Sequence, residues 1–306
     1  MYNATWLLAT AALALLPAAC APAPDAPAPR LTAAVCILPQ AWFVERIGGP
    51  RVEVLTLVAP GQNPHTYEPT PKQMARLAHA RVYFSVGFPF EKQILEKVTA
   101  DNPALHLVDT RAGVTLRYLT KEEAAHEEAE HGGKEGHGQE AGEPDPHFWL
   151  SPRNAGIMAA TIAKGLAEAD PAHAAEYRAR REVLQADLDK TDAALAKALA
   201  PLKGRPLFVF HPAFGYFADA YGLKQVAVEI EGKEPSAKQL GAMIDEARKA
   251  GARVVFVQPQ FSKKSAEAVA KAIGGVVVEM DDLAPDYLKN LDDMAAKIEK
   301  ALAGTP

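Results

Sequence analysis

The chain has 306 residues, 48% of them hydrophobic and 23% charged, with two cysteines and a formal net charge of −5. At about 150 residues per domain this length predicts two domains, each large enough for its own core. The balance of 33 Lys+Arg against 38 Asp+Glu excludes a broadly basic nucleic-acid binder, and two cysteines exclude a disulfide framework or a Cys-based zinc ribbon.

The N-terminus reads as an export signal over residues 1–19. Trp6 to Leu16 is an apolar run of eleven residues, too short to span a bilayer but suited to a secretory signal. Pro17-Ala18-Ala19-Cys20 follows and is similar to a bacterial lipoprotein processing site, which makes Cys20 the expected lipid anchor. Pro17 in place of an aliphatic residue, and no Lys or Arg before the run, depart from that pattern; a plain signal peptide is the alternative. Residues 20–30 alternate Ala with Pro, an extended spacer without a core.

Apolar runs separated by helical patterns then predict an α/β lobe over 31–171. Strands are expected at Ala33–Leu38, Val52–Val58, Arg81–Val86 and Leu105–Asp109. Helices are expected at Ala41–Ile47, Pro71–His79, Glu91–Ala100 and Pro152–Glu168. Within this lobe, residues 121–146 carry eight Glu and one Asp against two Lys, a net of −7 that leaves the rest of the chain at +2. That insertion has no apolar face and is expected to be disordered. From Ala172 to Leu199 there is no Gly or Pro, and Tyr177, Leu184, Leu188, Leu195 and Leu199 share one stripe. This predicts a single rigid helix joining two lobes. A second α/β lobe over 200–306 follows, with strands near Leu207–Phe210, Gln225–Ile230, Arg253–Val257 and Val276–Met280. Its clearest helix is capped by Ser236 and Gln239 and stopped at Gly251. The fold class is thus α/β, two lobes of mostly parallel strands on one linking helix.

The chemistry is carried by residues placed just after strands. His65 lies in PGQNPHTYEP, His147 in DPHFWLSP before a helix, His211 directly after Leu207–Phe210, and Asp281 after Val276–Met280. In open α/β sheets ligands bind beyond the carboxyl ends of the strands. Three neutral imidazoles and a carboxylate suit zinc. Spacing alone leaves hydrogen-bonded loop histidines as the alternative. His79, His106 and His173 have no such setting and are read as structural. Cys36 is read as a buried thiol, and Trp42, Trp149, Phe208, Phe214 and Phe217 as packing around the strands and cleft.

PGQNPHTYEPTP, DPHFWLSP, FHPAFGYFADAYGL, EGKEPSAKQL and VFVQPQFSKKSAEAVA, in order between Val35 and Leu302, strongly resemble the metal-binding solute-binding proteins of bacterial ABC importers, in particular the zinc-type branch. The resemblance implies two lobes on one long helix, with the metal held between them by His65, His147 and His211. It implies Zn2+ as cargo, since the manganese branch commonly has Glu where His211 stands. The family's fourth position aligns with Asp281, with Asp282 a rival by one residue and water a further possibility. Pro212 and Gln258 depart from the pattern, where Asp and Glu are common. His126, His131 and His137 in the acidic insertion match a loop that zinc-type relatives often carry, read as auxiliary capture of metal. The implied protein is an extracytoplasmic monomer on a lipid anchor, with an ABC permease and its ATPase as partners and no nucleic acid. The manganese-binding counterpart is the nearest alternative. An exported metallohydrolase and an adhesin-like protein are more distant ones; no H-E-x-x-H or comparable acid/base pair supports catalysis.

Overall fold

The computed structural model describes residues 30–118, 144–227 and 237–302. Cys20, the signal and spacer, His126, His131 and His137, and the Ser236 cap lie outside the described residues.

The first sheet holds β1 (Leu31–Val35), β2 (Val52–Thr56), β3 (Val82–Ser85) and β4 (His106–Asp109) in the order β2-β1-β3-β4. The second holds β5 (Pro206–Val209), β6 (Lys224–Ala227), β7 (Val254–Val257) and β8 (Val276–Glu279) in the equivalent order β6-β5-β7-β8. Every pairing is parallel, with Val35 opposite Thr56 and Phe84, and Val209 opposite Ala227 and Phe256. Helices α1 (Leu38–Gly48), α2 (Pro71–Leu77), α3 (Pro89–Asp101) and α4 (Pro152–Ala169) belong to the first lobe. Helix α5 (Ala174–Leu199) crosses to the second lobe, where α6 (Gly215–Tyr221), α7 (Ala237–Lys249), α8 (Lys263–Ala272) and α9 (Tyr287–Leu302) follow.

Both faces of the second sheet are covered, as parallel strands require. Leu207, Val209, Val254 and Phe256 enter the main core, while Phe208, Phe210, Val255 and Val257 enter a second cluster with Ala266, Val269 and Ile273. The main core also takes Val35, Phe43, Phe84, Trp149, Tyr177 and Tyr287, so it runs continuously between the lobes. Tyr287 at the head of α9 packs on Phe43 (4.8 Å between ring centres) and Trp42 (5.7 Å) of the first lobe.

Four expectations need correction. The first strand ends at Val35 and Leu38 already opens α1, because Pro39 has a fixed φ and no N–H to donate, which suits a helix's first turn better than a sheet. The second strand stops at Thr56, although Leu57 and Val58 still donate to Val35 and Cys36. The acidic window does not run to Pro146 as one disordered segment: Asp145 is buried and hydrogen-bonded. The linking helix begins at Ala174, after a short turn at Pro171–His173.

Candidate metal centre

Each of the three predicted histidines is set by its own local device. His65 sits in a single 3-10 turn, Pro64–Thr66, whose cap is the Asn63 side chain accepting the His65 N–H at 2.9 Å. His147 directly precedes the Phe148–Leu150 turn, and the Asp145 carboxylate takes both its backbone N–H (3.0 Å) and its ring Nδ1 (2.8 Å) through Oδ1. With Nδ1 engaged, Nε2 is the nitrogen left to face the cleft. His211 follows β5, beside β7, where the strand order of the second sheet reverses. Gln258, at the end of β7, accepts from the His211 N–H (3.3 Å) and donates Nε2 to the His211 carbonyl (3.0 Å). A glutamate there could accept but, ionised, could not donate; the amide does both.

The outcome is a convergence of three Nε2 atoms. His147 Nε2 is 3.4 Å from His65 Nε2 and 3.4 Å from His211 Nε2, and one ligand atom from each histidine lies within 4.8 Å of the others. A tetrahedral zinc with bonds of about 2.0–2.1 Å separates its ligand atoms by about 3.3–3.4 Å, so two of the three edges already match. His147 and His211 are each 2% exposed. Aromatic rings wall the site: Phe88 stands edge-on to His65 at 5.1 Å and Phe261 stacks on His211 at 4.7 Å.

Burial, with a further push from the neighbouring imidazoles, holds His65 and His211 well below the usual imidazole range. Both therefore present neutral nitrogens near pH 7, the form that ligates metal.

The two acids of the turn after β8 are placed differently. Asp281 Oδ1 accepts from Gln260 Nε2 (3.0 Å) and from the Leu283 N–H (2.9 Å), and neither Asp281 nor Asp282 is part of the group of atoms within 4.8 Å. Asp282 is buried and lines the cleft with His65, His211 and Gln260. Its Oδ1 and Gln260 Oε1 are buried with no hydrogen-bond partner among the described residues. Burial pushes the Asp282 carboxyl up to about 7, against the pull of His147 and with a smaller push from Asp281.

The remaining histidines are elsewhere. His106 Nε2 meets Glu168 at 2.9 Å and His173 Nδ1 meets Asp170 at 2.7 Å; neither joins a metal-capable group among the described residues. Two supports escaped the sequence reading. Asp145 was visible only as part of a motif, and Arg117, whose guanidinium reaches Asp145 Oδ2 at 3.4 Å, lies 28 residues earlier with no periodicity or motif to mark it.

Fold and site together define a two-lobed α/β protein able to hold one metal ion between its lobes. Residues 34–301 match the family described as zinc-uptake complex component A, periplasmic, and the chain belongs to that family. It is 36% identical over 163 residues to the high-affinity zinc uptake system protein ZnuA of Brucella abortus (strain 2308), an alignment covering 49% of this chain and 48% of that one. The chain thus spans about half the length of that curated relative. Two solved structures cover more. A ZnuA crystal structure, 40% identical, superimposes with a TM-score of 0.78 over 89% of this chain and 99% of that one. A ZnuA deletion mutant with zinc bound, 39% identical, gives 0.79 over 91% and 100%.

Proposed function

We propose that this chain is the extracytoplasmic zinc-binding component of an ABC metal importer, capturing Zn2+ and delivering it to a membrane permease worked by its ATPase. The observation that carries the reading is the pair of 3.4 Å separations among the Nε2 atoms of His65, His147 and His211. Three imidazole nitrogens favour zinc over manganese, which prefers oxygen donors. The zinc-bound relative at 39% identity supports the same cargo.

His65, His147 and His211 ligate the ion, and the fourth position faces the turn that contains Asp281 and Asp282. Of these two acids we assign Asp282 to the ion, because its Oδ1 is buried and unpartnered while Asp281 Oδ1 already accepts two bonds. One negative charge there offsets part of the dication's charge in a site otherwise built from neutral donors. Cys20 as a lipid anchor, and His126, His131 and His137 as weak auxiliary capture sites, complete the proposal.

The test offers metal-free protein, with Glu122–Glu143 deleted to remove auxiliary sites, equal excesses of zinc and manganese. Elemental analysis after gel filtration should return one zinc per chain and no manganese. Retention of manganese in preference to zinc, or of neither metal, would overturn the assignment.

A further inference from the structure

The carboxylate that orients His147 is itself held, and the group that holds it also reaches the other lobe. Asp145 Oδ1 is occupied by His147. Its second oxygen faces Arg117 Nη1 at 3.4 Å, with the Asp145 side chain 1% exposed and that of Arg117 12% exposed. Arg117 Nε meets Asp219 of α6 at 3.0 Å. The backbone reinforces the same junction: Arg117 N donates to Tyr216 Oη (2.7 Å), Asp145 N donates to the Arg117 carbonyl (2.8 Å), and Tyr216 Oη donates to the Asp145 carbonyl (3.3 Å). Gly215 makes room for the guanidinium, since a Cβ there would stand 2.4 Å from Arg117 Cζ.

Helix α6 begins four residues after His211. One guanidinium therefore joins the support of a first-lobe ligand to the helix that follows a second-lobe ligand. A carboxylate held at one oxygen only can swing about its Cβ–Cγ bond and carry the imidazole with it. Held at both, it fixes the direction of His147 Nε2.

We propose that Arg117 is a positioning residue of the metal centre, locking the Asp145–His147 pair and seating α6 against it, so that the aim of His147 and the join between the lobes are set together. The inference rests on the zinc-site reading above. It concerns Arg117, Asp219 and Gly215, none of which belongs to the group of converging ligand atoms.

The experiment measures zinc affinity by competition with a chromophoric chelator, and the visible spectrum of the Co2+-loaded protein, in the full-length chain. Arg117→Met should weaken zinc binding by about 10–100-fold, the usual cost of losing an outer-shell partner, and should alter the Co2+ bands. Arg117→Lys, which keeps the charge but offers one nitrogen for two carboxylates, should fall between Met and wild type. Gly215→Ala, which displaces the guanidinium without touching either carboxylate, should reproduce the Met phenotype. Adding Asp145→Ala to Arg117→Met should cost much less than the sum of the single effects. Should Arg117→Met fail to fold, the Lys and Gly215→Ala variants carry the same comparison. Wild-type affinity and spectrum in Arg117→Lys and Gly215→Ala, or additive losses in the double variant, would overturn the proposal. If instead the wild type bound no zinc, or His147→Ala bound it normally, the zinc-site reading itself would have failed.

Discussion

Three imidazoles converge because three different small devices aim them: an Asn cap at His65, a buried carboxylate at His147 and an amide clamp at His211. Replacing any one histidine with alanine removes a metal bond, so each variant should lose more than the roughly 10–100-fold expected for an outer partner such as Asp145. Calorimetric titration with zinc checks this, and near-wild-type affinity in His211→Ala would remove it from the ligand set. Asp282→Ala should weaken binding more than Asp281→Ala, because only Asp282 has a buried oxygen left to meet a charge. A pH dependence follows as well. The folded pKa values of His65 and His211 are depressed, whereas in the unfolded chain both take up protons near about 6.5. Their contribution to stability is thus fully present above that value and is lost as the pH falls toward the folded values. The thermal midpoint of the metal-free protein should drop more steeply with acidification than that of a His65→Gln/His211→Gln double variant; parallel curves would contradict it. The three converging histidines were legible in the sequence because each lies in a distinctive motif, His65 and His211 after strands and His147 before a helix. Arg117 was not, because its role depends on a pairing across an acidic insertion, and nothing local marks a residue whose partners lie 28 and 102 positions away.

Helix α5 was the most legible element. The stripe of Tyr177, Leu184, Leu188, Leu195 and Leu199 is the set of residues the helix buries. Its other positions are largely polar or exposed, with Val183 67% exposed. Leu188→Ala should cost about 2–5 kcal/mol through lost burial and the cavity left behind, whereas Val183→Ala should be near neutral; urea unfolding of the metal-free protein distinguishes them. Close packing against α4 was not legible, because it depends on a missing side chain: a Cβ on Gly156 would meet Gln185 Oε1 at 2.9 Å. Strand ends were read one to three residues too far for a related reason. Apolar residues continue past the ladder into turns that are themselves buried, and hydropathy does not separate the two. The acidic insertion is bracketed by the Asp145 N–H to Arg117 carbonyl bond at 2.8 Å, which closes the chain on itself beside the site. Deleting Glu122–Glu143 should therefore leave one tight zinc equivalent and an unchanged thermal midpoint, while removing any weaker equivalents. Loss of the tight equivalent would show that the insertion supplies a ligand.

Converging histidines from two lobes raise the question of how far the lobes move when metal arrives. A wide hinge needs flexible crossings and a cleft that can open without exposing core. Here the crossing is a 26-residue helix without Gly or Pro, about 39 Å of continuous backbone hydrogen bonding at 1.5 Å per residue. The lobes also share their interior. Tyr287 of the second lobe packs on Phe43 and donates to the Trp149 carbonyl, and Trp149 Nε1 donates to the Asp282 carbonyl at 3.0 Å. Opening the cleft widely would strip these buried groups of their partners and expose aromatic surface, a cost that loop motion avoids. Metal capture should therefore order the His65 turn and the His211 loop while the lobes stay nearly fixed, and release at a permease becomes a matter of displacing those loops. Small-angle scattering of metal-free and zinc-loaded protein, both lacking Glu122–Glu143, should give the same radius of gyration within error. Hydrogen exchange should slow on loading around Asn63–Tyr67 and His211–Phe214 and stay unchanged along α5. A contraction of several ångströms on adding zinc would mean that the shared core parts more readily than its buried hydrogen bonds imply.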